Sequence, residues 1–264
     1  MSPQTSAFAT EKNKAPTPLP LEIREAWKKA GAETGCGRDL GYPEFVPGEE
    51  SRIGDVPAFR FGEWMEGILP QLPEPSVPFG LDLGSSKITD AGLKELARFS
   101  NLVFLNLYGA PISDGGTEVL RILLRLETLN LYGTRVTDAG TESLAGLNRL
   151  RTLHLAKTQV SDVGLLKLVG LTNLEALGLG HTKVSEKGVL KVTSNLKELR
   201  TLALRSIPIT DEGLKSLANL KNLKVLYLSN SAVTGAGMRE LLAMEVLESL
   251  DLYGTTVTVA GLKN

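Results

Sequence analysis

Cys36 is the chain's one cysteine, and it sits between glycines in the run GCGRD, a setting that can leave a thiol open to solvent. A thiol becomes a useful nucleophile only with a base within hydrogen-bond reach. The two histidines, His154 and His181, lie in a later part of the chain of quite different character. They also lack a third ligand in register with them, so zinc binding is not expected, and a single cysteine rules out an internal disulfide framework or a cysteine-rich metal site. No glycine-rich loop precedes a lysine and hydroxyl at the spacing that cradles phosphates. These residues therefore predict no catalytic centre, no metal and no cofactor. The types that remain are those of recognition: four of the five tyrosines and a handful of polar side chains at regular intervals.

Those intervals come from a repeat. The segment opening at Ile88 recurs at Ile112, Val136, Val160, Val184, Ile209, Val233 and Val257, with a period of 24 residues except for one step of 25 between Val184 and Ile209. Aligning the leucines puts the extra residue within 193–195, and local irregularity is expected around residues 193–208. Each unit has an L-x-x-L-x-L run such as Leu150, Leu153 and Leu155, the period-two signal of a short strand with one buried face. Six of the eight also have a Thr or Ser followed by an acidic residue, as in Thr89-Asp90 and Thr137-Asp138, which reads as a helix N-cap and decays to Thr234-Gly235 and Thr258-Val259 at the end; an apolar stripe such as Leu93, Leu96, Ala97 and Phe99 follows. A glycine stands two residues after the acidic position in every unit (Gly92, Gly116, Gly140, Gly164, Gly188, Gly213, Gly237, Gly261). Glycine costs about 1 kcal/mol in a helix relative to alanine, so its repetition predicts a close backbone approach or unusual dihedrals where units stack.

A unit of this size cannot fold alone, and stacking must supply the missing stability. Strands stack about 4.8 Å apart whereas helices need about 10 Å, so the array must curve with its sheet inside. The prediction is an α/β solenoid with a concave parallel sheet and short helices on the convex side, over residues 79–264. The preceding part divides into a polar, proline-bearing tail (1–18), predicted to be disordered, and a capping segment (19–78). In that segment Ile23, Ala26, Trp27 and Ala30 mark a short amphipathic helix stopped by Gly31, and Ala58–Phe61 with a turn around Trp64–Leu69 completes the cover over the first unit.

The L-x-x-L-x-L runs and the TDAGL cadence resemble the leucine-rich repeat family, in particular the subtype that includes the repeats of ribonuclease inhibitor and of F-box substrate adaptors. Bacterial, planctomycete-like arrays are similar in having a hydroxyl residue where that subtype often has asparagine or cysteine; here it is Thr134, Thr158, Thr182 and Thr255, with Ser86 and Ser231. A buried hydroxyl there is expected to bond the loop backbone, while Ala110 and Ile207 depart from the pattern. The resemblance implies a right-handed leucine-rich repeat solenoid and protein–protein recognition, usually through the concave sheet. It does not imply catalysis.

Side chains between the leucines must face the concave side, where they form three columns. From these the candidate binding residues are Phe104, Asn106, Tyr108, Asn130, Tyr132, His154, Arg205, Tyr227, Asp251 and Tyr253. Ala156, Gly178, Gly180 and Ala203 leave a hollow between two aromatic clusters. Exposed aromatic residues around a concavity are what interface hot spots use. His154, beside the hollow, would titrate near its ordinary value. The expected partner is another protein or an extended peptide. With a net charge of −1 and 42% apolar content, the chain lacks the clustered basic charge of a nucleic-acid binder, and no run is long enough to span a membrane. The absence of a signal-like segment and the single cysteine point to the cytoplasm. Two alternatives remain open: self-assembly through an unfinished C-terminal end exposing Leu250, Leu252, Val257 and Leu262, and an adaptor whose N-terminal segment, with its F-box-like opening LPLEIREAW, recruits or performs an activity.

Overall fold

The computed structural model describes residues 16–48 and 52–258; most of the predicted tail (1–15), Gly261 and Leu262 lie outside them. One sheet of eleven strands runs through the molecule in the order β11-β10-β9-β8-β7-β6-β5-β4-β3-β1-β2. The strands of the repeats are β4 (Phe79–Asp82), β5 (Leu102–Asn106), β6 (Thr128–Asn130), β7 (Thr152–His154), β8 (Ala176–Gly178), β9 (Thr201–Ala203), β10 (Val225–Tyr227) and β11 (Ser249–Asp251). They pair in parallel, and equivalent leucines of successive units, such as Leu129 and Leu153, lie side by side. The leucines beneath them are sealed into one core that extends from Leu19 to Met244.

Six of the seven steps from one unit to the next are made by a carboxylate; the last unit pair has Gly235 at that position. Asp114 accepts hydrogen bonds from the Thr137 N–H (2.8 Å), the Thr137 hydroxyl (2.6 Å) and the Gly140 N–H (3.0 Å), all in the following unit. The same bridge joins Asp90 to Ser113, Asp138 to Ser161, Asp162 to Ser185, Glu186 to Thr210 and Asp211 to Thr234. Each of these hydroxyls also accepts from its own helix as an N-cap, so one side chain starts a helix and ties it to its predecessor. Burial by itself would raise the Asp138 carboxyl, but the hydrogen bonds from Ser161 and Gly164 outweigh it and hold that group below the ordinary carboxylate range.

This bridge explains the invariant glycine. A Cβ on Gly116, Gly140, Gly164, Gly188, Gly213 or Gly237 would fall inside the carboxylate of the preceding unit. None of these glycines has positive φ, so close approach, not an unusual dihedral, is the cause. At Gly92 no repeat precedes, and the Trp64 indole takes the carboxylate's place, its Nε1 lying 2.6 Å from where a Cβ would stand.

The helices begin with α2 (Asp90–Leu93), α3 (Asp114–Thr117) and α4 (Asp138–Thr141), each continuing into a 3-10 turn. Leu93, Leu96 and Phe99 are buried as expected, whereas Ala97 is exposed. After α5 (Asp162–Leu166), the longer α6 (Glu186–Thr193) absorbs the extra residue of its unit, followed by α7 (Asp211–Leu217). The irregularity expected around residues 193–208 does not occur. An α-helix rises about 1.5 Å per residue against about 2.0 Å for the 3-10 form, so more residues fit the same span and β8, β9 and β10 stay in register. The predicted hydroxyl contacts form at five of six positions: Thr134, Thr158, Thr182, Thr255 and Ser86 donate to the carbonyl three residues earlier at 2.6–2.8 Å, whereas the buried Ser231 hydroxyl finds no partner among the described residues. Every unit turns from its strand through a residue of positive φ, which is glycine only at Gly109, Gly133 and Gly254 and elsewhere Ser85, Lys157, His181, Ser206 or Asn230; the first unit adds a second at Lys87.

Helix α1 (Leu21–Lys29) ends at Gly31 in the left-handed region, and its Trp27 is completely buried, stacked on Phe59 at 4.1 Å and packed against Phe61, Phe79 and Phe99. The first unit is thereby covered. Between α1 and the repeats come β1 (Glu33–Asp39), β2 (Pro43–Pro47) and β3 (Val56–Arg60). Strand β3 joins β4 in parallel, but β1 is antiparallel to both β2 and β3, so the sheet is parallel only from β3 onward. With one helix and three strands among its described residues, this segment does not form the three-helix module that its F-box-like opening would require. At the far end Leu250, Leu252 and Val257 are only partly buried.

The glycine account is tested by alanine. Gly140→Ala is expected to destabilise the chain by about 1–3 kcal/mol in urea denaturation, because the Asp114 bridge must open. Gly146→Ala, whose methyl would meet nothing within 4 Å, should be neutral or slightly stabilising. Equal stability of the two variants would refute the bridge as the reason for glycine.

Candidate functional site

The concave side is already partly covered by the chain itself. The β1–β2 hairpin lies across the repeat strands: a Cβ on Gly37 would stand 2.9 Å from the Phe104 ring on β5, the Asp39 carboxylate accepts from the Thr128 hydroxyl on β6 at 2.9 Å, and Gly41 reaches β7 and β9. Its base is fixed by the ladder to β3 and by a two-pronged contact of Arg38 with the buried Asp55 (3.0 and 2.8 Å). Phe104 is buried against this hairpin and belongs to no part of the leucine core.

Of the predicted binding residues, Phe104, Asn106, Asn130 and His154 are therefore buried, with 9% exposure or less. Asn106, Asn130 and Asp251 also have work within the chain. Their side-chain oxygens accept from the N–H two residues on, at Tyr108 (3.1 Å), Tyr132 (2.9 Å) and Tyr253 (3.0 Å), as Asp82 does from Gly84. These contacts shape the turn that leaves each strand. The residues still facing solvent fall into two patches. In one, Tyr108 and Tyr132 stack at 4.8 Å with Lys157 over the Tyr132 ring. In the other, Arg205 lies 4.6 Å over Tyr227, is held by Asp251 at 3.2 Å, and neighbours the exposed Tyr253.

The predicted hollow is filled. Tyr42, at the hairpin tip, stacks on His154 at 4.9 Å and meets Tyr227 edge-on at 5.9 Å. Burial, followed by the nearby Tyr227, pushes its phenol up to about 12, so it stays protonated. All five tyrosines thus collect on one face. Sequence reasoning placed four there and missed Tyr42, because the hairpin that carries it has no repeat signal. One trace was visible: the second column reads Asp82, Asn106, Asn130, then His154, Gly178, Ala203, Tyr227, then Asp251, and the four positions that lack Asp or Asn are those facing the tip.

His154 is held by its Nε2, which lies 2.9 Å from the Gly41 carbonyl oxygen. A carbonyl only accepts, so Nε2 carries the proton. Burial depresses the imidazole's proton affinity, outweighing the Gly41 hydrogen bond and the Asp39 charge, which act the other way. Cys36 is buried too, and burial, then Asp55, raises its thiol, which works against a nucleophilic thiolate. No group of three or more metal-ligating side chains occurs among the described residues, and none of their helices is long and apolar enough to cross a membrane.

The His154 geometry sets a pH dependence. Because its folded pKa lies below the unfolded value of 6.5, the stabilisation is complete above that pH and is lost as pH falls from about 6.5 toward the folded value, where the unfolded chain binds a proton that the folded chain refuses. Thermal midpoints should therefore drop between about pH 7.5 and pH 5.5. The drop should be smaller in His154→Gln, and an identical drop in both proteins would remove His154 as the cause.

Three segments, residues 81–97, 147–169 and 196–218, match a family model described as Leucine Rich repeat. An internalin (inlF) structure from Listeria monocytogenes aligns at a TM-score of 0.57 and 25% identity over 70% of this chain and 50% of that chain, so the chain spans half of its length. Internalin C2 from the same organism aligns at 0.57 and 22% identity over 92% and 88%. The ectodomain of the Arabidopsis receptor kinase HAESA, solved with an extended IDA peptide hormone ligand, aligns at 0.50 and 21% identity over 67% and 34%. No curated protein matches the chain. The matched repeats and the stacked strand-and-helix units agree: the chain has the fold of a leucine-rich repeat solenoid.

Proposed function

We propose that the chain is a non-enzymatic recognition module that binds a protein or peptide on its concave side, over the surface around the hairpin. The supporting observation is the gathering of all five tyrosines on that face, four of them in two patches built from the residue types that dominate interface hot spots and Tyr42 between these. Between the patches run three strand spacings, about 14 Å from Tyr132 to Arg205, a span that an extended segment of four or five residues covers. The HAESA ectodomain, a solenoid of the same fold, was solved with a peptide hormone. We further read the array as similar to the ribonuclease-inhibitor subtype and to bacterial TDAGL arrays, and as cytoplasmic.

Free β-strand addition at the N-terminal edge of the sheet is a poorer route, because the edge strand there, β2, begins and ends with Pro43 and Pro47, which cannot donate to a new ladder.

Photo-crosslinking groups placed at Tyr108, Tyr132 or Tyr253 should capture the same partner, and groups at the exposed Ile122 or Val163 should not. Replacing Tyr108 and Tyr132 together by serine should weaken capture by about tenfold or more, the loss of one hot spot, with the melting transition unchanged within about 2 °C. Crosslinks confined to the helical side would overturn the assignment.

A further inference from the structure

The hairpin tip occupies its place on the sheet in a way that defines a ligand. Four consecutive positions of the second column, His154, Gly178, Ala203 and Tyr227, abandon the Asp or Asn that closes the strand turn in the other repeats. Gly178 is required by this arrangement, since a Cβ there would run into the His154 ring. The small floor of Gly178 and Ala203 between two rings is about two strand spacings wide, near 10 Å, room for one more ring. Tyr42 takes it, stacked on His154 and edge-on to Tyr227, which Arg205 backs from its other side. Recognition extends to the backbone, because the His154 Nε2–H is aimed at a main-chain carbonyl. The residue supplying that carbonyl must be glycine: Gly41 has φ +85°, and a Cβ there would stand 2.8 Å from the Thr201 hydroxyl.

The tip is held far more lightly than the base. Leu40 is 71% and Tyr42 42% exposed; the sheet holds the tip by the His154 hydrogen bond to the Gly41 carbonyl and by ring contacts to Tyr42, beside the turn's own bonds from the Gly41 N–H to Asp39 and from the Leu40 N–H to the Tyr42 carbonyl. The base has the β1–β3 ladder, the Arg38–Asp55 pair and the Asp39–Thr128 contact. Residues 40–42 can therefore lift without unfolding what anchors them.

We propose that His154, Gly178, Ala203 and Tyr227 form a receptor for a glycine–aromatic turn, that Gly41–Tyr42 fills it in cis, and that a partner protein binds by presenting a turn of the same chemistry in trans. This rests on the reading that the concave side is the binding side, and it names the motif the partner must carry.

The test uses a backbone-cyclised peptide containing Asp-Leu-Gly-Tyr-Pro, the sequence of residues 39–43, titrated calorimetrically into the full chain. Tyr42→Ala should bind it at least tenfold more tightly than the wild type, and the gain should vanish when Tyr227→Ala is added or when the peptide's glycine or tyrosine is replaced by alanine. Hydrogen exchange on the wild type gives a second readout, since saturating peptide should accelerate exchange at the Leu40 and Tyr42 amides. Equal affinity of Tyr42→Ala and wild type, a gain indifferent to Tyr227→Ala, or unaltered exchange would each overturn the proposal. The Tyr108→Ser and Tyr132→Ser changes should leave peptide affinity within twofold. Loss of partner capture in those variants with no peptide binding would sink this inference alone; peptide binding with capture intact would sink the two-patch reading alone.

Discussion

From Asp90 to Asp211, each repeat meets the next through a carboxylate that sits over a glycine. The acidic residue at the start of one helix accepts the N–H and hydroxyl of the next unit's cap, and in the Asp114 bridge the N–H of the glycine as well. Each of these carboxylates is half-buried and not sealed from water, and it takes at least two donors from the following unit. The glycine is the geometric condition for the contact, since any side chain would hold the units apart. Strand register, the continuous leucine core and the alignment of side chains into columns all follow from this fixed step. A recognition surface spread over several strands has a defined shape only if the step is constant.

The N-terminal segment does two things with that array. On the end, Trp27 and its aromatic neighbours replace the missing repeat, and Trp64 occupies the space over Gly92 where a preceding carboxylate would lie. On the face, the hairpin turns back over the strands and shields the first two columns. Its glycines make this possible: Gly37 lies against Phe104 and Gly41 against Thr201, each where a methyl group would not fit. A solenoid that would otherwise present a broad, shallow surface is divided into two aromatic patches with an occupied cleft between them. Specificity in such a surface comes from a few rings and one arginine and not from area.

The 25-residue unit shows how the fold tolerates variation. Its extra residue lengthens a helix on the convex side, where a change of helical form absorbs it, and the strands remain in register. Ala110 and Ile207 lack the hydroxyl that most units use, and both are buried. The essential elements are those that touch the next unit; the others drift.

The sequence by itself determined the repeat, the inward leucines, the caps, a demand for glycine where units stack and most of the hydroxyl contacts, because each is local or recurs at fixed spacing, so successive copies report the same physics. It also placed Tyr108, Tyr132, Tyr227 and Tyr253 on one side. What only the tertiary structure decided is the condition of that side: that Phe104, Asn106, Asn130 and His154 are covered, that the hollow holds Tyr42, and that His154 is a buried neutral donor. Those facts depend on a single contact between residues 33–47 and strands as much as 185 positions later in the chain, the separation of Tyr42 from Tyr227. Nothing periodic encodes such a contact. It is fixed by shape, by which backbone can approach which ring, and shape exists only once the repeats have stacked.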